Sequence, residues 1–262
     1  MEWLKREVLS SMKPYYQDKY VTIYNADCRE ILPDLPKVDL VCTSPPYPGN
    51  NKMWGELFKE GNEIKAHNYL NEVWESCLLK LSDGCKIAIN IANTKRRPYI
   101  PNTYYIYKFM LGKVEPIGEI IWNKGYGQCG TAWGSFRSPS DMALADQHEY
   151  ILVFRKFGNR TKPDTFDKID SFSFKSWRNS MWQFSPAKAS VKNHVAPFPD
   201  DIPNRLVTLY TFPGEIALDP FLGSGTTCYC AKKLLRKSIG IEIEEKYCEI
   251  AAKRCSQMVM EF

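Results

Sequence analysis

No run of this chain reaches the ~18 consecutive apolar residues that a membrane-crossing helix needs, so no membrane partner is expected. The first residues, Met1-Glu2-Trp3-Leu4-Lys5-Arg6-Glu7, are charged and contain no apolar secretory core. The nine cysteines include no C-x-x-C pair, and Cys228 and Cys230 stand one residue apart. That spacing gives neither a zinc site nor a dithiol motif, and no metal is expected. Cys42 and Cys85 sit in apolar runs and read as reduced, buried thiols of a cytosolic protein. Only three histidines occur, His67, His148 and His194. They are isolated, so structural roles are expected. A phosphate-binding loop needs Lys before its Ser or Thr. Thr226 follows Gly225 instead, which argues against nucleoside triphosphatase chemistry. Neither charge sign dominates: 35 basic and 30 acidic residues leave a net +5. That balance permits a polyanionic partner without requiring one. There is no internal repeat and no low-complexity segment, and 262 residues suit one large domain or a domain with an insertion.

What is present centres on Asp219-Pro220-Phe221-Leu222-Gly223-Ser224-Gly225-Thr226-Thr227. A short apolar strand at 215–218 precedes it and a helix at 228–235 follows. Gly223 and Gly225 allow a tight turn and close approach of a ligand to the backbone. The unpaired N–H groups opening the helix suit a polar ligand group. This is the first βα turn of a doubly wound sheet. The dinucleotide fingerprint is incomplete, because position 228 is Cys. The next strand, 238–242, ends on Glu242, and an acid there accepts from ribose hydroxyls. An adenosine-type ligand without a pyrophosphate fits, and S-adenosylmethionine is one.

Seven candidate strands are marked by Ile23, Leu40, Ile87, Ile120, Leu152, Ile216 and Ile239. Most alternate with helices, which implies a mostly parallel sheet. The strands at Ile120 and Leu152 lack an intervening helix and are expected to pair antiparallel. Helices are expected at 69–81, 103–111, 202–210 and 247–255, with a turn at Asp83-Gly84. The polar and aromatic stretch 48–66 reads as a loop, as does 124–146, and 193–199 as extended. Periodicity disappears from 155 to about 192, where Lys162, Lys168, Lys175 and Arg178 mix with Phe166, Phe172, Phe174, Trp177 and Trp182. A structureless stretch of that length is unusual in a compact domain unless it is functional.

At the end of one buried strand stands Thr43-Ser44-Pro45-Pro46-Tyr47. Two prolines fix φ and remove two N–H donors, giving a stiff turn with outward carbonyls. Ser44 offers a hydroxyl and Tyr47 a flat face. This set suits methylation of an exocyclic amino group on a nucleic-acid base. The amino lone pair is delocalised into the ring, and two acceptors aimed at its hydrogens, Ser44 Oγ and the Pro45 carbonyl, would favour the pyramidal, nucleophilic form. An aromatic face can stack on a base flipped out of the duplex.

TSPPY at 43–47, APFP at 196–199 and DPFLGSGTT at 219–227, in that order, resemble the beta group of DNA amino-methyltransferases. The likeness spans nearly the whole chain, from NADCREIL at 25–32 to GIEIEEKY at 240–247. EYILVFRK at 149–156 and NHVAPFP at 193–199 fall where the family has matching segments. The resemblance implies an α/β, Rossmann-like S-adenosylmethionine-dependent methyltransferase fold with a seven-stranded, mostly parallel sheet and an inserted target-recognition region. The catalytic half would be 1–155, the insertion 156–192 and the cofactor-binding half 193–262.

Residue by residue, it implies that Asp219, Pro220, Phe221, Gly223, Ser224, Gly225, Thr226 and Thr227, with Thr43, surround the methionine end of S-adenosyl-L-methionine. Glu242 would bind its ribose, Ile243 would pack on its adenine, Asp27 would contact the adenine edge, and Phe198 and Pro199 would close over the methionine side. Ser44, Pro45, Pro46 and Tyr47 would be the catalytic tetrapeptide. The family opens that tetrapeptide with Asp in most adenine enzymes and Ser in most N4-cytosine enzymes. Ser44 therefore implies N4 of cytosine, with N6 of adenine as the alternative. A silent DNA-binding protein is the reading from another class, and an RNA or protein methyltransferase a further one. Val195 departs from the Pro that many relatives carry and reads as a local loop difference. Arg137, Lys175, Arg178 and Lys188 are candidate DNA contacts, with Lys95-Arg96-Arg97 a further phosphate candidate and Trp54 a possible cover for the flipped base. The implied setting is a restriction–modification pair in the cytoplasm, associated with the nucleoid. Double-stranded DNA is the expected partner, a cognate endonuclease would recognise the same site with no direct contact implied, and a homodimer is open.

Overall fold

The computed structural model describes residues 13–49, 55–94, 99–125, 144, 147–164, 166, 168–186 and 199–257. The expectations at Trp54, Lys95-Arg96-Arg97, Arg137, Lys188, His194, Val195 and Phe198 lie outside these residues. In chain order the elements are β1 (Tyr16–Gln17), β2 (Val21–Asn25), α1 (Cys28–Ile31), β3 (Val38–Thr43), α2 (Glu63–Lys80), β4 (Leu81–Ile91), α3 (Asn102–Met110), β5 (Glu115–Asn123), β6 (His148–Arg155), α4 (Ser171–Trp177), β7 (Met181–Gln183), α5 (Asp201–Tyr210), β8 (Ile216–Asp219), α6 (Thr226–Lys233), β9 (Lys237–Glu242) and α7 (Glu245–Ser256).

Among the described residues nine strands join one sheet, in the order β1-β2-β9-β8-β3-β4-β6-β5-β7. The expected count of seven is corrected to nine. The two additions, β1 and β7, are two and three residues long, too short to show a period. The run β2-β9-β8-β3-β4 is parallel throughout. β6 is antiparallel to both β4 and β5, and the β5–β6 pairing is the one expected.

The central strands are covered on both faces, so they read as unbroken apolar runs. Leu40, Val41 and Cys42 are fully buried. Val41 faces the cluster built with α1, α2 and α3, while Leu40 and Cys42 face α5 and α6. On α2, Leu70, Val73, Trp74 and Cys77 are fully buried, each large side chain contributing ~1.5–3 kcal/mol. The helix starts at Glu63 rather than 69, because Ala66 and His67 extend its buried face backward by one turn. β4 runs through Asp83 and Gly84, where a turn is expected. Its pairing with β3 is irregular there, passing from Val38–Leu81 to Leu40–Lys86.

The segment 155–192 is not structureless. Asp170 caps α4 by accepting from the Phe172 and Ser173 amides, β7 pairs parallel with β5, and Trp182 is buried in the second core, its indole donating to the Trp177 carbonyl at 3.0 Å. The eight described cysteines are all buried and unbridged. Among the described residues no helix is long and apolar enough to cross a membrane.

Candidate active site

Parallel pairing sets the carboxyl ends of β2, β9, β8 and β3 side by side. Asp219 ends β8 and is buried. Its Oδ1 accepts from the Thr43 hydroxyl at 2.7 Å and the Phe221 amide at 3.1 Å, and its Oδ2 accepts from the Thr227 hydroxyl at 2.7 Å. This carboxyl thus ties the end of β3 to the start of α6. Burial pushes its pKa up to about 6, against the pull of those donors. Gly225 caps α6 in the left-handed region, with φ +83°, and Gly223 has φ +54°. Pro220 and Ser224 are buried in the same turn. The Thr226 hydroxyl accepts from Arg254 Nη1 at 3.0 Å, so it is held by α7.

Glu242 ends β9. Its carboxylate accepts from the Gly223 and Glu244 amides at 2.8 and 2.9 Å, and burial raises its pKa. Asn25, ending β2, donates to the carbonyls of Glu242 and Ile243 at 3.0 Å each. Ile243 follows with 64% of its surface exposed. Phe221 is half-buried and meets Trp74 edge-on at 6.0 Å. Asp27 caps α1 and forms a 2.8 Å ion pair with Arg29, whose guanidinium lowers its pKa. Pro199 is buried just before α5.

Ser44 leaves β3 directly after Thr43. Its Oγ lies 3.1 Å from Tyr47 Oη and 3.4 Å from Asn90 Nδ2. Tyr47 donates to Glu149 Oε2 at 2.8 Å, and Asn90 Nδ2 donates to both Tyr47 Oη at 2.8 Å and Glu149 Oε2 at 2.7 Å. Lys124 Nζ pairs with Glu149 Oε1. Burial, then the Glu149 charge, hold the Tyr47 phenol well above its usual pKa, so it stays protonated. Pro45 is buried and Pro46 half-buried. Behind the turn, Asn102 Nδ2 donates to the carbonyls of Pro48 and Ala92 at 3.3 and 3.0 Å, and its Oδ1 meets His67 Nε2 at 3.0 Å. His67 stacks on Tyr105 at 4.2 Å and is lowered by burial to about 4. It is a neutral structural histidine.

Asn90, Lys124, Glu149 and Asn102 were not among the residues expected from sequence. The available signal was a polar side chain inside a buried strand: Asn90 in KIAINI and Glu149 at the head of EYILVF. Lys175 and Arg178 are exposed on and just after α4, with Arg178 5.7 Å from the Phe174 ring. Among the described residues no cluster of His, Cys, Asp or Glu could hold a metal.

The family model described as DNA methylase matches residues 38–253, which include both strand ends. The chain belongs to the DNA methylase family. Among its relatives, the type II methyltransferase M.MjaI of Methanocaldococcus jannaschii is 31% identical over 254 residues, covering 79% of this chain and 82% of the other. M.ScaI of Streptomyces caespitosus is 28% identical, covering 92% and 83%. In solved structures, the Thermus thermophilus protein TTHA0409 complexed with S-adenosyl-L-methionine superposes with a TM-score of 0.73 at 26% identity, covering 92% of this methylase and 95% of that chain. The cytosine-N4-specific PvuII DNA methyltransferase gives a TM-score of 0.72 at 20% identity, covering 96% and 92%, a likeness of fold.

Proposed function

We propose that this methylase transfers a methyl group from S-adenosyl-L-methionine to the exocyclic N4 amino group of a cytosine flipped out of duplex DNA, as the modification enzyme of a restriction–modification pair. The observation that carries the base assignment is Ser44. A hydroxyl, not a carboxylate, opens the Pro-Pro-Tyr turn beside the glycine turn. The type II relatives support the setting, and the bound Thermus protein supports the cofactor.

The residues present fit that cofactor. Glu242 keeps lone pairs for ribose hydroxyls beyond the two amides it accepts from, Ile243 leaves an apolar face exposed beside it, and Gly223 and Gly225 leave the turn without side chains. Asp27 would lie at the adenine edge, while Thr43, Phe198, Pro199, Asp219, Pro220, Phe221, Ser224, Thr226 and Thr227 would shape the methionine end. When bound, the cofactor supplies an electrophilic methyl group on a sulfonium. Ser44 Oγ and the Pro45 carbonyl accept from the target amino group and free its lone pair. The Tyr47 ring stacks on the extruded base, contributing ~1–3 kcal/mol. Positioning of the two reactants supplies ~7–11 kcal/mol of the barrier. The insertion at 156–192 faces DNA, through Lys175 and Arg178 beside Phe172, which is 81% exposed. Arg137 and Lys188 complete the proposed contact set.

The test is mass spectrometry of nucleosides from long, unmethylated, mixed-sequence DNA treated with protein and cofactor. N4-methylcytosine is expected. N6-methyladenine overturns the base assignment, and cofactor binding without any product points to a silent DNA-binding protein. Ser44→Ala is expected to lower turnover ~10²–10³-fold, the range seen for a lost transition-state hydrogen bond, while calorimetric cofactor affinity persists.

A further inference from the structure

We infer that Glu149 is a positioning residue that sets the hydrogen-bond polarity of Ser44. The inference rests on the reading of Ser44 as the acceptor for the target amino group. A serine hydroxyl can donate or accept, so its chemistry type alone does not make it an acceptor. The network behind it removes the ambiguity. Lys124 Nζ, Asn90 Nδ2 and Tyr47 Oη converge on the Glu149 carboxylate, which only accepts. Tyr47 has one proton, and Glu149 Oε2 takes it at 2.8 Å. Asn90 Nδ2, 2.8 Å from Tyr47 Oη, is itself a donor. It therefore cannot take a proton from the phenol. Ser44 Oγ and Tyr47 Oη stand 3.1 Å apart and need one proton between them. With the phenol proton committed, Ser44 must supply its own.

Ser44 consequently points its O–H inward and its lone pairs toward the crevice. Asn90 makes only its longest contact with Ser44, at 3.4 Å, and its two amide hydrogens are used by Glu149 and Tyr47. A glutamine at 149 can turn its NH2 toward Tyr47. The Asn90 amide, which donates to that same carboxylate oxygen at 2.7 Å, must then turn its oxygen toward the new NH2. The phenol proton is no longer committed to position 149 and can swing to Ser44, and the serine proton swings into the crevice, where it faces an amino group that needs an acceptor.

The experiment compares wild type, Glu149→Gln, Ser44→Ala and the double variant. Three quantities are read: single-turnover methyl transfer, cofactor affinity by calorimetry, and affinity for matched duplexes whose target base carries its amino group or a carbonyl in its place. Differences in how readily the two duplexes flip cancel when the preference is compared across proteins. Glu149→Gln is expected to slow methyl transfer about 10- to 100-fold, with cofactor Kd and KM unchanged within about twofold. It should add no further loss in the Ser44→Ala background, because the group it orients is gone. The preference for amino over carbonyl should fall about tenfold, a change that loosened packing does not produce.

Equal losses in both backgrounds, or an unchanged base preference, overturn the inference and leave Ser44 as acceptor. Full activity of Ser44→Ala overturns the reading beneath it and the inference too. Should Glu149→Gln fail to fold, Tyr47→Phe cuts the same link while keeping the ring. Its loss must likewise vanish in the Ser44→Ala background, and persistence there overturns the inference.

Discussion

At the end of β8 the chain turns on glycine backbone, and its acids are held by amides and hydroxyls of the turn itself and of the adjoining strands. At the end of β3 it turns on two prolines, and the side chains of that turn are held from far along the sequence. Tyr47 reaches Glu149 across 102 positions and Asn90 across 43. The first end is fixed by what its own backbone can adopt. The second is fixed by what β4 and β6 bring to it. Damage should therefore be local and conformational at one end, remote and electrostatic at the other.

Gly225→Ala is the most severe way to try that contrast. An added Cβ would meet Ala251 Cβ at 2.8 Å and its Cα at 2.9 Å, at φ +83°. Left-handed strain and overpacking together cost ~2–5 kcal/mol, read as a lower urea midpoint and weakened cofactor binding. Pro46→Ala, in the other turn, should cost only ~0.4–1 kcal/mol, chiefly through the unfolded chain. Equal costs would break the comparison.

The two ends should also respond oppositely to acid. Asp219 has its pKa raised from 3.8 to about 6, so its stability contribution is full below about 3.8 and lost as pH rises through about 6. His67, which braces Asn102 and through it the Pro48 carbonyl, is lowered from 6.5 to about 4. Its contribution is present above about 6.5 and lost as pH falls through about 4. At ~1.4 kcal/mol per pKa unit each effect reaches about 3 kcal/mol. Urea unfolding at about pH 4 and about pH 7 separates them. From acid to neutral, wild type should lose about 2 kcal/mol relative to Asp219→Asn and gain about 3 kcal/mol relative to His67→Gln, since pH 4 already lies just above the unfolded Asp pKa of 3.8. Two differences of the same sign would show that the ends share one electrostatic environment.

This contrast also decides what the sequence could disclose. The glycine turn, Glu242 at a strand tip and the Pro-Pro turn are local constraints, and local constraints leave local residue patterns. The seven longer strands declare themselves through apolar runs, and the pairing of β5 with β6 through the lack of a helical pattern in the sequence between them. β1 and β7 are too short for a period, and β7 is specified by one tryptophan, Trp182, filling the second core. The first turn of α2 hides because its buried residues are alanine and histidine. Glu149 and Asn90 are visible only as polar residues in apolar strands, and nothing nearby in sequence names their partners. Their meaning comes from the β4–β6 register, which sets Asn90 opposite Ile151, and antiparallel register depends on both strands at once.

The smallest expected effect sharpens the comparison most. Ile243 is 64% exposed at the end of β9, and a single exposed isoleucine is ordinary on a protein surface. If adenine lies against it, Ile243→Ala removes ~40 Å² of apolar contact, about 1 kcal/mol, and cofactor Kd by calorimetry rises about fivefold. Folding stability should move by less than ~0.5 kcal/mol, since the side chain supports no core. Ile64, 68% exposed on α2, is the control, and Ile64→Ala should leave cofactor affinity where it was. A ligand held by turn backbone, one acid and one apolar face loses little when any single side chain is trimmed. On the proposed reading, a target amino group held by one oriented hydroxyl would lose most of its activation when that hydroxyl turns round. Should Ile243→Ala weaken cofactor binding a hundredfold, side chains rather than backbone would hold the ligand at the β8–β9 end, and the two ends would be built alike.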